Sequence, residues 1–148
     1  MHSDSKIKII GRREYVDFPL LDINNVEAKI DTGAYTSSIH CEKILIRFED
    51  FKPVLYFIID NKNGKEYRFE NYEKKKIKNS FGEMEERYVI RTLVKIGGKR
   101  IWSTLSLSKR DSMRYQVLIG RRLIKGKFLI DVSKTHTNGI RLNKKHIK

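Results

Sequence analysis

The sequence predicts an all-β domain, and three observations carry that reading. Apolar–polar alternations and β-branched runs recur along most of the 148 residues, turn signals rich in Gly and Asn separate them, and only residues 121–125 invite a helix. Ten or so short strands with one helical turn make a barrel or sandwich-like domain. Residues 26–31 alternate apolar and polar side chains, and 38–48 do so in part. Residues 54–59 form a continuous β-prone run, consistent with a strand buried on both faces. A turn signal at 79–82 separates strands expected at 74–78 and 84–90. Residues 88–96 and 100–107 read as a hairpin, because Gly97 and Gly98 supply the positive φ its turn demands. A loop at 112–114 leads into a strand at 115–120. The short helix at 121–125 stops before Gly126, a last strand covers 128–132, and the polar, basic segment from Lys134 reads as a loosely held tail.

Length and composition bound the class. A chain of 148 residues with 39% hydrophobic side chains makes one domain with a real core and needs no staples. The single cysteine, Cys41, excludes an internal disulfide framework and fits a reducing compartment. No apolar run approaches the roughly 20 residues of a membrane span. The N-terminus has no apolar signal core, so a cytoplasmic protein with no membrane partner is expected. The formal charge is +14, unevenly placed. Residues 1–90 hold 16 basic and 16 acidic side chains, whereas residues 91–148 hold 16 basic ones against only Asp111 and Asp131. Such a one-sided field attracts polyanions (nucleic acid, an acidic lipid surface or an acidic peptide) and does not say which. A merely Lys-rich surface has the same composition.

Asp31-Thr-Gly-Ala34 follows directly on the strand expected at 26–30. Asp supplies a carboxylate that can activate a water, Thr a hydroxyl that braces the loop, and Gly a close backbone approach with no Cβ. The tripeptide also makes ordinary turns, so it takes its weight from a second motif. Val117-Leu-Ile-Gly120-Arg121 is an apolar strand ending in Gly-Arg and opening a short helix. Together the two resemble the retropepsins, the small dimeric aspartic proteases of retroviruses. The turn around Phe81-Gly82 then stands as the flap tip, with the 88–107 hairpin behind it. Gly11-Arg-Arg-Glu-Tyr-Val16, Ala28-Lys-Ile-Asp-Thr-Gly-Ala-Tyr-Thr-Ser-Ser-Ile-His40, Asp111-Ser-Met-Arg-Tyr115 and Leu118-Ile-Gly-Arg-Arg122 with Phe128-Leu-Ile-Asp-Val132 are similar to one bacterial family in particular. It is the retropepsin-like family labelled ATP-dependent zinc proteases. The resemblance implies a retropepsin-like closed β-barrel, the acid-protease half-fold, with one short helix near the C-terminus. It covers a domain over residues 7–134 and leaves a basic tail over 135–148. Members of that family often lie beside ATP-grasp enzymes that ligate glutamate to protein tails, and some relatives are associated with trimming such tails.

The zinc and ATP of that label are not carried by these residues. There is no His-Glu-x-x-His. His40 and Cys41 are neighbours in an expected strand and point to opposite faces. His40 with Glu42 falls short of the three protein ligands of a catalytic zinc. Gly120-Arg-Arg-Leu-Ile-Lys-Gly126-Lys127 resembles a phosphate loop but misses its spacing by one residue, and Phe128 stands where Ser or Thr should hold magnesium. No metal or cofactor is expected.

An aspartic protease needs two adjacent carboxylates that share one proton. This chain has one Asp-Thr-Gly, and Asp131 lacks the Thr-Gly of a second. The resemblance therefore implies a C2 homodimer in which the two copies of Asp31 face each other across the axis and titrate as a unit. It assigns catalysis to Asp31, Thr32 and Gly33, with Thr32 bonding the partner's loop and Gly33 contacting substrate backbone. It places Thr36 and Ser37 around the carboxylate. Substrate contacts are expected at Ala34, Thr36, Gly82, Arg114, Arg121 and Arg122, the three arginines serving an acidic ligand. Retroviral enzymes carry an acid directly after the Asp-Thr-Gly-Ala motif, paired with the Gly-Arg arginine. Tyr35 stands there instead, so Arg121 must find another partner or stay available to an acidic ligand. The expected partners are a second copy of the chain and an acidic or glutamate-tailed protein substrate. Two other readings stay open: a basic module for nucleic acid, and an inactive relative in which Asp31 is structural.

Overall fold

Alternation of buried and exposed positions builds the layers of the computed structural model, which describes residues 6–60, 64–79, 81–109 and 114–137. Among these residues the order is β1 (Lys8–Ile10), β2 (Arg13–Phe18), a 3-10 turn (Pro19–Leu21), β3 (Ile23–Ile30), β4 (Ser37–His40), β5 (Lys43–Glu49) and β6 (Lys52–Ile58). There follow β7 (Glu66–Phe69), β8 (Glu73–Lys78), β9 (Met84–Ile96), β10 (Lys99–Ser108), β11 (Val117–Ile119), α1 (Arg121–Ile124) and β12 (Phe128–Ile130). The all-β expectation holds, with one short helix where the sequence invites it. The loop expected at 112–114 and the start of the motif at Asp111 lie largely outside the described residues.

Seven strands form one sheet in the order β10-β4-β11-β3-β2-β9-β8, and β9 also pairs with β10. The ladder thus curls back on itself. Its seam between β2 and β9 is the single pair Asp17↔Lys95, because β2 shifts register between Val16 and Phe18 and bends away. The barrel is therefore a curled sheet whose closure rests on that one residue pair, not a fully laddered closed barrel. Inside it Phe18, Ala28, Ile39, Val94, Leu105, Val117 and Ile119 are fully or almost fully buried. The β9–β10 hairpin turns through Gly97 (φ 59°) and Gly98 (φ 77°), the two positive φ values expected of the paired glycines. No helix among the described residues is long and apolar enough to cross a membrane.

Residues 38–48 do not make one strand. The chain breaks at Cys41-Glu42 because the Cys41 N–H donates to the Ser108 carbonyl (2.7 Å) while the Glu42 N–H donates to the Ile58 carbonyl (2.9 Å). Those acceptors belong to different sheets, so β4 stays in the large sheet and β5 opens a separate one, β5-β6-β7.

The segment from Lys134 is not loose where it is described. The Arg12 N–H donates to the Lys134 carbonyl (2.8 Å), and a Cβ on Gly11 would stand 2.3 Å from that oxygen. His136 stacks on Tyr15 with centroids 4.4 Å apart, and its Nε2 lies 2.7 Å from Glu27 Oε2. Glu14, fully buried on β2, accepts from the N–H groups of Gly11 (2.7 Å) and Thr137 (3.1 Å) and from the Thr137 hydroxyl (2.5 Å). A buried carboxylate kept by three donors holds the end of the described chain onto the domain.

One buried group is left over. Thr92 Oγ1 has no hydrogen-bond partner among the described residues. Thr92→Val keeps the shape and removes the desolvated hydroxyl, so it is expected to raise stability by about 1 kcal/mol. Equilibrium denaturant unfolding reads this directly, and a destabilised variant contradicts it.

Candidate active site

Two parallel strands bring the two motifs side by side. β3 and β11 run in the register Ala28↔Val117, Lys29↔Leu118 and Ile30↔Ile119. The chain leaves both at the same end, β3 into the Asp31 loop and β11 into Gly120 and α1. The Asp31 N–H extends the ladder to the Ile119 carbonyl (2.8 Å). The loop then braces itself, with the Ala34 N–H on the Asp31 carbonyl (3.1 Å) and the Gly33 N–H on Asp31 Oδ1 (3.2 Å). From the other side, the N–H groups of Arg121 and Arg122 donate to the carbonyls of Ala34 (2.8 Å) and Tyr35 (3.0 Å). These are amides that a helix start leaves without intrahelical partners. The Gly120 N–H donates to Ser37 Oγ (2.9 Å). A Cβ at Gly120 would stand 2.7 Å from the Tyr35 oxygen and 2.8 Å from the Thr36 carbonyl carbon, so only glycine lets the two motifs meet.

Asp31 is partly exposed and lines a groove of about 680 Å³ between this loop and the β8–β9 hairpin. The hairpin contributes Lys76, Ile77, Lys78 and Asn79, and the opposite wall Arg114, Tyr115 and Leu118. At the hairpin tip Asn79 Oδ1 accepts from the N–H groups of Phe81 (2.9 Å) and Glu83 (3.0 Å), and Gly82 takes φ 82°. Among the described residues, the charged side chains of the groove are Lys29, Lys76, Lys78, Arg87, Arg114 and Arg121 against Asp31. Arg87 is neutralised by Glu85 at 2.5 Å. The other five leave a strongly positive field around one carboxylate.

Of the residues nominated by the sequence, Asp31, Gly33, Ala34, Thr36, Arg114 and Arg121 line this groove. Thr32, Gly82 and Arg122 do not. Thr32 is exposed and its carbonyl accepts from Arg121 Nη1 (3.1 Å). Gly82 sits at the hairpin tip, and the Arg122 guanidinium lies 5.9 Å from the Tyr35 ring centroid. Ser37, expected beside the carboxylate, is buried under Gly120 instead. Arg121 has found its other partner: its guanidinium lies 5.5 Å from the Tyr35 centroid, a cation–π contact in the position of the retroviral ion pair. Asp131 is a turn residue. The Ser133 hydroxyl (2.6 Å) and N–H (2.9 Å) donate to it and hold its carboxyl below the usual range. Sequence reasoning missed Lys29, Lys76 and Lys78. The available signal was strand periodicity, since Lys29 shares a face with Asp31, and Lys76 with Lys78 on the strand entering the flap turn.

The residues do not fit the zinc and ATP of the family label. Cys41 is fully buried, and burial pushes its thiol up to about 12, far from the thiolate a metal needs. No three His, Cys, Asp or Glu side chains gather into a metal-binding group among the described residues. The amides of Gly120, Arg121 and Arg122, which would have to cradle phosphate, are already spent on Ser37, Ala34 and Tyr35.

An Asp-Thr-Gly loop locked to a Gly-Arg strand under a hairpin defines a protein of the retropepsin-like class. The family described as Retropepsin-like aspartic endopeptidase RimB matches residues 9–140, and the chain belongs to it. A protein of Shewanella halifaxensis named "Probable alpha-L-glutamate ligase" is 37% identical over 142 residues, which cover 93% of this chain and 31% of that one. One of the same name from Desulfotalea psychrophila is 37% identical over 137 residues, covering 88% of this chain and 29% of that one. The chain thus spans less than a third of the length of these relatives. A solved structure from Legionella pneumophila, of unknown function, is 28% identical with a TM-score of 0.69, covering 89% of this chain and 98% of that one.

Proposed function

We infer that the chain is an aspartic peptidase that works as a homodimer and cuts acidic, glutamate-rich protein tails. The observation that carries this reading is the groove at Asp31, where, among the described residues, five cations without an ion pair surround a single carboxylate. The relatives named for glutamate ligation support it, since they join a region like this one to a longer chain named for making glutamate linkages.

The chemistry follows from pairing two Asp31 loops across a two-fold axis. Two carboxylates at close range keep one proton between them. The ionised one takes a proton from water as the water oxygen attacks the scissile carbonyl carbon, and the protonated one donates to the carbonyl oxygen. In the collapse, the carboxyl that took the water's proton gives it to the leaving nitrogen as the C–N bond breaks. The other carboxylate takes a proton back from the gem-diol hydroxyl as the new carboxyl group forms, so one proton is again shared. Lys76 and Lys78, two residues apart on one face of β8, are spaced about 7 Å along the strand. That is also the repeat of alternate side chains in an extended substrate, so the pair suits two carboxylates of a glutamate run.

The test compares a peptide with a glutamate tail against the same peptide with a glutamine tail. Lys76→Ser with Lys78→Ser is expected to lower kcat/KM about tenfold on the glutamate peptide, at about 0.5–1 kcal/mol for each exposed charge pair. The glutamine peptide should be hardly affected. Arg114→Ala should act in the same direction. Arg121→Ala is less clean, because Arg121 also braces Thr32 and Tyr35. Equal losses on both peptides contradict recognition by charge, and no cleavage of either contradicts the peptidase.

A further inference from the structure

The outward face of the β9–β10 hairpin carries a cluster of cations. The register sets Lys95 opposite Arg100, Leu93 opposite Trp102 and Arg91 opposite Thr104. Burial alternates along both strands so that these six side chains share the solvent side. Partners in a pair lie about 5 Å apart and successive pairs about 7 Å. Like charges set directly opposite destabilise a sheet, and Lys95 stands directly against Arg100 on this face. Among the described residues no ion pair or side-chain hydrogen bond engages Arg91, Lys95 or Arg100. Asp17, across the seam from Lys95, gives its carboxylate to the Asn25 N–H (2.7 Å).

Between these cations stands Trp102, the chain's single tryptophan, 57% exposed. With Arg91 and Thr104 it forms one wall of an open groove of about 970 Å³. Glu70 and Glu73 line the same groove but are tied to Arg68 (2.8 Å) and Lys75 (3.4 Å). No residue of this groove lines the one at Asp31.

We propose that this face binds single-stranded nucleic acid, with one base stacked on Trp102 and the flanking phosphates on Arg91 to one side and on Lys95 and Arg100 to the other. An aromatic platform bracketed by cations is how strands are held without sequence preference. The ring also decides between polyanions. Its face is the negative end of a quadrupole, which repels a carboxylate but accepts the π face of a base. A duplex keeps its bases stacked and has none to offer. This binding lies beyond the peptidase reading and does not depend on it.

The experiment titrates the full chain with octamers of uridylate and of thymidylate and follows the fluorescence of Trp102, which reports this face alone. Saturable quenching is expected, with affinity falling with salt at a log–log slope of about −2 for three phosphate contacts on a single strand. Arg91→Ala with Arg100→Ala should weaken binding about tenfold and flatten that slope. Trp102→Ala, read by anisotropy of a labelled oligonucleotide, should also weaken it about tenfold. Asp31→Asn should bind like the wild type. Three results overturn the proposal: no quenching by either octamer, equal quenching by an oligoglutamate peptide, or binding that survives both sets of substitutions and so belongs to the groove at Asp31.

Discussion

Asp31→Asn is expected to remove peptidase activity while leaving the fold in place. The loss should be about a thousandfold or more, since a carboxylate that passes protons contributes roughly 10²–10⁴ in rate. Folding has little reason to notice. Asp31 Oδ1 accepts one N–H, from Gly33 at 3.2 Å, and an asparagine oxygen accepts the same bond. Partly exposed polar substitutions of this kind stay within about 0.5 kcal/mol. Asp131→Asn is the control, because that carboxylate serves the turn at Ser133 and should leave kcat/KM unchanged. Thermal unfolding and peptide cleavage measured on the same preparations separate the two roles. An Asp31→Asn enzyme with wild-type turnover would make Asp31 structural.

Gly120→Ala should damage both stability and activity. The added methyl would meet the backbone of Tyr35 and Thr36 at 2.7–2.8 Å, where no flexible side chain can yield. One motif must therefore move away from the other. The bonds that join them, from Arg121 and Arg122 to Ala34 and Tyr35, lengthen together. Overpacking of this kind costs about 3 kcal/mol at the upper end of its usual range, or a melting temperature lower by roughly 10 °C for a domain of this size. The Asp31 loop is displaced with it, so activity should fall even below the melting transition. An alanine variant with unchanged melting and turnover would mean that the Asp-Thr-Gly loop does not rest on α1.

What could be read from the sequence was local, and what escaped was long-range. The Gly97-Gly98 hairpin, the strand into Asp31 and the strand into Gly120 each announce themselves within a few residues. β2 does not, because its inward positions include Glu14, which breaks the apolar alternation. That carboxylate is tolerated inside because donors such as those of Thr137 and Gly11 meet it, and Thr137 is 123 residues away. The break between β4 and β5 depends on Ser108 and Ile58, neither of them near Cys41 in the chain. The site divides in the same way. Asp31, Gly33 and Arg121 follow from motifs, whereas Lys76 and Lys78 join the groove only once β8 and the flap turn fold over β3. The place of Ser37 is not legible in the sequence, because its hydroxyl serves the Gly120 amide, a partner set by tertiary packing.

The proposed dyad builds one site from two copies of Asp31. Wild type is mixed with Asp31→Asn in equal amounts, subunits are allowed to exchange, and hydrolysis of a glutamate-tailed peptide is measured. A composite dyad predicts about a quarter of the wild-type rate, because only dimers with both carboxylates work and exchange makes them a quarter of the total. About half the rate, in proportion to the wild-type chains present, would show that each chain carries its own complete site and would contradict the shared dyad.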